Sequence, residues 1–343
     1  MSERIEYIDA LRGLAMLMVV MVHVEGFSVF IEEFHMSFLR RFCEALMLPL
    51  FFFISGFLTK PVSGKKLIEK CTQLLTPACL LGLLYSFYIH KDPVSFIQNI
   101  YKYGYWFTVT LSEMLVIINL TTTALRKCNF GTIAILVVAA LLYVVKIPFN
   151  HIKVLDSIGD IFCFHQLFLY FHYFAIGYVL SNNKQVLNKL LSSELIVLIA
   201  IFVFSSSLYV KFTYPDELLA ANLLLKIYRA VLDPILGYSG ILVIYKLFYN
   251  KCATVSDGIF GKLLQFIGRN TFEIYLLHYF FLPKLPELGI ALMNSHNIVI
   301  EFICVLCISS AVISCSLIVS KIIKTNTITA FLLLGAKPKF YIK

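Results

Sequence analysis

The sequence predicts an all-α, polytopic membrane protein of about ten transmembrane helices, and three observations predict it. Of 343 residues, 59% are apolar and 14% charged, against about 45 to 50% and about 25% in an ordinary soluble domain. The apolar residues fall into blocks of the length a helix needs to cross about 30 Å of hydrocarbon, roughly 20 residues. The joints between blocks are short and polar, and none could be a separate soluble domain, so residues 1–343 read as a single membrane domain.

Apolar windows bounded by charge or turn residues place spans near 10–30, 42–59, 72–90, 105–124, 131–147, 161–180, 194–210, 229–248, 270–290 and 298–323. The first run, from about Ala10 to Phe30, is longer than a signal-peptide core and no small-residue cleavage site follows it, so it reads as a retained span. Most of the nine cysteines lie inside apolar runs, and Cys304 and Cys307, at helical i,i+3 spacing, read as small apolar residues rather than a metal or redox pair. No metal is expected.

An even number of spans puts both termini on one side. With the termini inside, seventeen lysines and arginines fall on inner segments and nine on outer loops, which predicts cytoplasmic termini. Basic inner loops facing anionic lipid also account for the net charge of +9 without nucleic acid.

Ionisable groups are costly inside a bilayer and usually face a partner, a cavity or a substrate. The first span carries Arg12 and His23, with Asp9 one turn earlier; Glu44 opens the second, Glu113 lies in the fourth, His165 and His172 in the sixth, Arg229 and Asp233 in the eighth, Glu273 and His278 in the ninth. Arg12 and His23 are eleven residues apart, which returns to nearly the same helix face about 16 Å further along. One face thus carries a cation near the cytoplasm and an imidazole deeper in, the geometry expected if a long anionic cofactor enters from inside and delivers its reactive end to the histidine. Ordinary structural roles stand beside these. Arg229 and Asp233, at i,i+4, read as an ion pair; His165 and His172, at i,i+7, read as histidines bonded across helices; Asp9 pairs with Arg12 or caps the helix. For His278 a functional role and packing between helices are both open.

The segment YIDALRGLAMLMVVMVH at Tyr7 to His23 resembles the opening of the acyltransferase family 3 integral membrane proteins, with an arginine, ten residues and a histidine. PLFFFISGF at Pro49 to Phe57, YWF at Tyr105 to Phe107, FAIGYVL at Phe174 to Leu180 and GRNTFEIYLLH at Gly268 to His278 resemble later helices of the family in the expected order. The resemblance implies about ten helices in a bacterial inner or plasma membrane, acetyl-CoA as donor, and a sugar of a surface polysaccharide, lipopolysaccharide or peptidoglycan as acceptor. It assigns cofactor binding to Arg12 and catalysis to His23. Where the family often has two basic residues three apart before a proline, this chain has Lys70 and Gln73 before Pro77, and Lys65 and Lys66 are the nearby cations that can take the second place. Met47 stands where some members carry a histidine. No esterase-like domain follows the membrane part, which leaves the transfer to this chain or to a protein that receives the group.

Transfer from a thioester to a hydroxyl needs a base, a hold on the donor and a stabiliser of the oxyanion. His23 is the candidate base, with Glu113 the group expected to orient it; an acyl-histidine intermediate is also compatible. No oxyanion donor stands out, and Trp106 reads as a packing or interfacial aromatic. The competing readings are a transporter or flippase of a lipid-linked glycan, and a silent homologue that only binds. The arginine-to-histidine axis of the first span favours the enzyme.

Overall fold

A computed structural model describes residues 6–30, 37–125, 131–149, 153–213, 223–250 and 258–336. Every regular element among them is a helix: α1 Glu6–Val24, running on into a π turn Glu25–Val29; α2 Phe38–Leu58; α3 Gly64–Tyr85, ending in a π turn Ser86–His90; α4 Ser95–Gln98; α5 Trp106–Ala124; α6 Gly131–Phe149; α7 Lys153–Phe162; α8 Phe164–Asn182; α9 Lys184–Ser192; α10 Glu194–Thr213; α11 Leu223–Asn250; α12 Ile259–Arg269; α13 Thr271–Leu277; α14 Pro286–Ser295; α15 Ile298–Ile323; and α16 Thr327–Leu334.

Seven helices among the described residues are long and apolar enough to cross a membrane: Glu6–Val29, Phe38–Leu58, Gly64–Ile89, Trp106–Ala124, Glu194–Thr213, Ala230–Tyr249 and Ile298–Ile323. They coincide with seven of the ten expected spans. The other three differ for separate reasons. Helix α6, Gly131–Phe149, has 19 residues, and its apolar stretch among the described residues is Gly131–Lys146. Helix α8 has 19 residues, but His165, Gln166 and His172 dilute its hydropathy. The ninth expected span is not one helix: α13 stops at Leu277, a 3-10 turn covers His278–Phe281, and the chain is extended at Leu282 before α14 begins at Pro286. Pro283 and Pro286 explain the break, because proline lacks an N–H and pushes the preceding residue out of helical geometry. Leu282 accordingly has φ −70° and ψ 111°.

The chain divides into two compact units, Met1–Phe51 with Asn183–Ser316, and Phe52–Asn182 with Leu317–Lys343. In the first, α1 is the most buried of the candidate spans, with 72% of its apolar window inside the protein against 17% for α10. It packs on α12 backbone to backbone. A Cβ built on Gly13 would lie 1.9 Å from the carbonyl oxygen of Leu264, and one on Gly268 would lie 1.7 Å from that of Asp9. Small residues at such crossings let helices approach where burial from water gives no driving force. Gly268→Leu should therefore part α1 from α12 and destabilise the protein by about 3 kcal/mol, at the upper end for overpacking. Thermal unfolding in detergent would show a lowered midpoint, while Gly131→Ala, whose Cβ would meet nothing within 4 Å, should leave the midpoint in place.

In the second unit, the later half of α2 packs on α8 in the same way, with Gly56 against the carbonyl of Phe174 and Gly177 against that of Phe53. Trp106 joins an aromatic cluster with Phe52, Phe107 and Tyr170, its ring 5.9 Å from that of Tyr170. Helix α16 folds back onto α3, and α5, α6 and α8 complete the unit. The loop before α5 is pinned by Lys102, whose buried Nζ donates to the carbonyls of Ile97 at 2.6 Å, Asn99 at 2.8 Å and Asp160 at 2.6 Å.

Candidate functional site

The site belongs to the first unit and is built on α1. At the inner end by the expected topology, Asp9 and Arg12 share a helix face one turn apart, 3.9 Å from Oδ1 to Nη1. The tight α1–α12 crossing brings a second cation to the same carboxylate, Arg269 Nε lying 3.6 Å from Asp9 Oδ2. Arg12 Nη2 also donates to Thr271 Oγ1 at 2.8 Å, the first residue of α13. Asp9 is buried, while the Arg12 side chain remains 29% exposed, and its planar fork suits a phosphate.

His23 lies in the last turn of α1, where the helix is about to widen into its π turn. Its Nδ1 is 2.8 Å from Nε2 of His278, and the two rings are nearly parallel, 6° apart. His278 is fully buried at the point where α13 breaks. Its Nδ1 faces the carbonyl oxygens of Ile274 at 3.0 Å and Tyr275 at 2.9 Å. Carbonyls only accept, so His278 Nδ1 carries a proton and donates it. With both rings in the neutral form a base requires, His278 Nε2 is then an acceptor, and His23 Nδ1 must donate to it. This leaves a lone pair on Nε2 of His23. The hydroxyl of Tyr279 donates toward that nitrogen at 3.3 Å, a long contact. Phe27, one turn further along and 57% exposed, has its ring centroid 5.7 Å from that of His23. His23 itself is half-buried. The basic nitrogen is thus oriented by a buried partner and sits at the edge of the protein.

The break in α13 is part of this geometry. The turn lets His278 reach the carbonyls of its own last helical turn, and the extended chain beyond it is tied back to α1 where Leu285 N donates to the carbonyl of Ser28 at 2.7 Å. Helix α14 closes on the same turn, with Gly289 against the carbonyl of Val29.

The remaining expected residues have the following surroundings. Glu113 belongs to the second unit, half-buried on α5 with no hydrogen-bond partner at Oε2; the group that meets His23 Nδ1 is His278. Lys65 and Lys66 are exposed in the first turn of α3 and Lys70 is half-buried two turns in, also in the second unit. Gln73, at the position of the family's second basic residue, donates to Glu69 at 3.3 Å. Asp233 pairs with Lys211 of α10 at 3.0 Å, and the side chain of Arg229, its expected partner, lies outside the described residues. His165 meets Asp160 at 3.4 Å, while His172 packs edge-on against Tyr143. Arg269, Thr271 and Tyr279 were not singled out by the sequence, although all three lie in or just beside the GRNTFEIYLLH segment.

Comparison with known proteins is consistent with this arrangement. A family model described as an acyltransferase domain matches residues 5–319 of the chain, covering Arg12, His23, Thr271 and His278 together. No curated protein and no solved structure matches. A match over that extent, around an arginine and a histidine eleven residues apart on one membrane helix, establishes that the chain belongs to the acyltransferase 3 family of membrane acyltransferases.

Proposed function

We propose that the protein is a membrane O-acetyltransferase that moves an acetyl group from cytoplasmic acetyl-CoA to a sugar hydroxyl of a cell-surface polysaccharide or its lipid-linked precursor. The observation that carries the reading is His23, whose Nδ1 lies 2.8 Å from buried His278, about 16 Å along α1 from the partly exposed Arg12. Arg12 holds the donor's phosphates at the inner end. Lys65, Lys66 and Lys70 sit at the amino end of α3, where cations add to the positive end of a helix and strengthen its pull on anions. The pantetheine arm spans the distance to His23, which removes the proton of the acceptor hydroxyl as that oxygen attacks the thioester carbonyl. Both termini face the cytoplasm in this arrangement, and residues 1–343 act as one domain.

Mass spectrometry of the host's surface glycans, with and without the gene, tests the proposal. Glycans from cells lacking the gene should lose an acetyl mass on a defined sugar while their amount at the surface is unchanged. Loss of surface glycan with its acetylation intact would identify a transporter or flippase instead.

A further inference from the structure

Removing a proton from a sugar hydroxyl leaves the question of where the charge goes, since His23 Nε2 lies in a site of low polarity. The hydrogen bonds around it form a directed chain. His23 Nδ1 donates to His278 Nε2 at 2.8 Å, and His278 Nδ1 donates to the carbonyls of Ile274 and Tyr275 at 3.0 and 2.9 Å. His278 is fully buried, and its ring is held on both sides. We infer that His278 is the terminal proton store of the acyl transfer, receiving through His23 the charge that the acceptor hydroxyl gives up.

The step balances as follows. The hydroxyl proton moves to His23 Nε2 while the Nδ1 proton of His23 moves to His278 Nε2. The acceptor oxygen forms its bond to the thioester carbonyl carbon, and the carbon–sulfur bond breaks with its electron pair on the sulfur. The two protons then return along the same path, and the thiolate leaves as the thiol. His23 ends each half of the cycle neutral, with its two ring nitrogens exchanged in role.

The groups that face the two rings favour this direction. His23 meets His278 at 2.8 Å and Tyr279 at 3.3 Å, and no carbonyl faces its ring nitrogens among the described residues. A cation on His278 is met instead by two carbonyl oxygens, the negative ends of peptide dipoles at the end of α13. His278 thus acts through His23, and the role differs from simple orientation, which any acceptor at that position would supply.

This inference rests on the acetyl-transfer reading, and its test separates the two. Purified full-length protein in lipid vesicles is given radiolabelled acetyl-CoA and glycan-bearing membranes from cells lacking the gene. His278→Gln keeps an oxygen that can accept from His23 Nδ1 but cannot take its proton. Its transfer rate should fall at least about a hundredfold, the usual scale of a lost acid–base contribution, with acetyl-CoA affinity and melting temperature retained. The wild-type rate measured in mixtures of light and heavy water should bend below a straight line, because two protons move together. A His278→Gln enzyme within about threefold of wild type, or a wild-type rate linear in deuterium fraction, would overturn the relay, and the second measurement stands even if the variant fails to fold. Absence of labelled glycan with the wild-type protein would contradict the acetyltransferase reading itself.

Discussion

His23→Ala should abolish glycan acetylation, a loss of at least about a hundredfold, while the purified variant should still bind acetyl-CoA with wild-type affinity. The two halves of the expectation follow from separate features of α1. In the proposed mechanism the nitrogen that accepts the acceptor's proton is Nε2, left basic because Nδ1 is committed to His278, and alanine supplies no substitute. The proposed site for the donor phosphates is about 16 Å away at the other end of the helix, out of reach of the substitution. The His23 ring is half-buried at the end of α1 and packs on aromatic neighbours rather than filling the α1–α12 crossing, so the variant should also insert and fold. Acetyl-CoA titration by calorimetry, with transfer followed by radiolabel, checks both halves; wild-type transfer by His23→Ala would remove the base from the mechanism.

Arg12→Ala should weaken acetyl-CoA binding by about tenfold to a hundredfold, the range that follows from losing a charge-assisted hydrogen bond of about 1.5 to 3 kcal/mol. The fold should survive, because Asp9, the buried carboxylate left behind, keeps Arg269 at 3.6 Å as a counter-charge. Arg12→Lys should recover little. An ammonium is a point charge and cannot hold Thr271 with one arm while presenting another to a phosphate. Unchanged acetyl-CoA affinity in purified Arg12→Ala protein would take Arg12 out of the donor site.

Arg12 and His23 were legible in the sequence because the signal is local: two ionisable residues inside one apolar run, at a spacing that returns to the same helix face. Asp9, one turn from Arg12, was legible for the same reason, but Thr271 and His278 were not, because those contacts join residues more than 250 positions apart. Nothing in the residues near His278 distinguishes a buried dyad from a packed histidine until α13 is laid beside α1. Glu113 was the residue the sequence offered to orient His23, and the structure shows His278 at Nδ1 of that ring, a partner the sequence left open. The ninth span was read as continuous because a window of about 20 residues averages over Pro283 and Pro286, whereas the backbone responds to each proline individually.

The partners of two charged side chains came from the structure and not from the sequence. Lys102 counts as an outer cation in the sequence, yet the structure turns it inward onto three carbonyls, and burial away from water lowers the pKa of its ammonium from the usual lysine value. Asp233 also meets Lys211 from the neighbouring α10, a contact between helices that sequence spacing does not show. The glycines at 13 and 268 carry no chemistry and drew no notice, although they set the approach of α1 to α12 and so bring Arg269 and Thr271 to Arg12.

The most direct test of the central claim uses the wild-type protein alone. Purified protein in sealed lipid vesicles is supplied with radiolabelled acetyl-CoA and an acceptor glycan fraction, and released thiol is measured beside label on the glycan. The account predicts label on the glycan in equal amount to the thiol released; glycan that crosses the membrane unlabelled, with no thiol released, would contradict it.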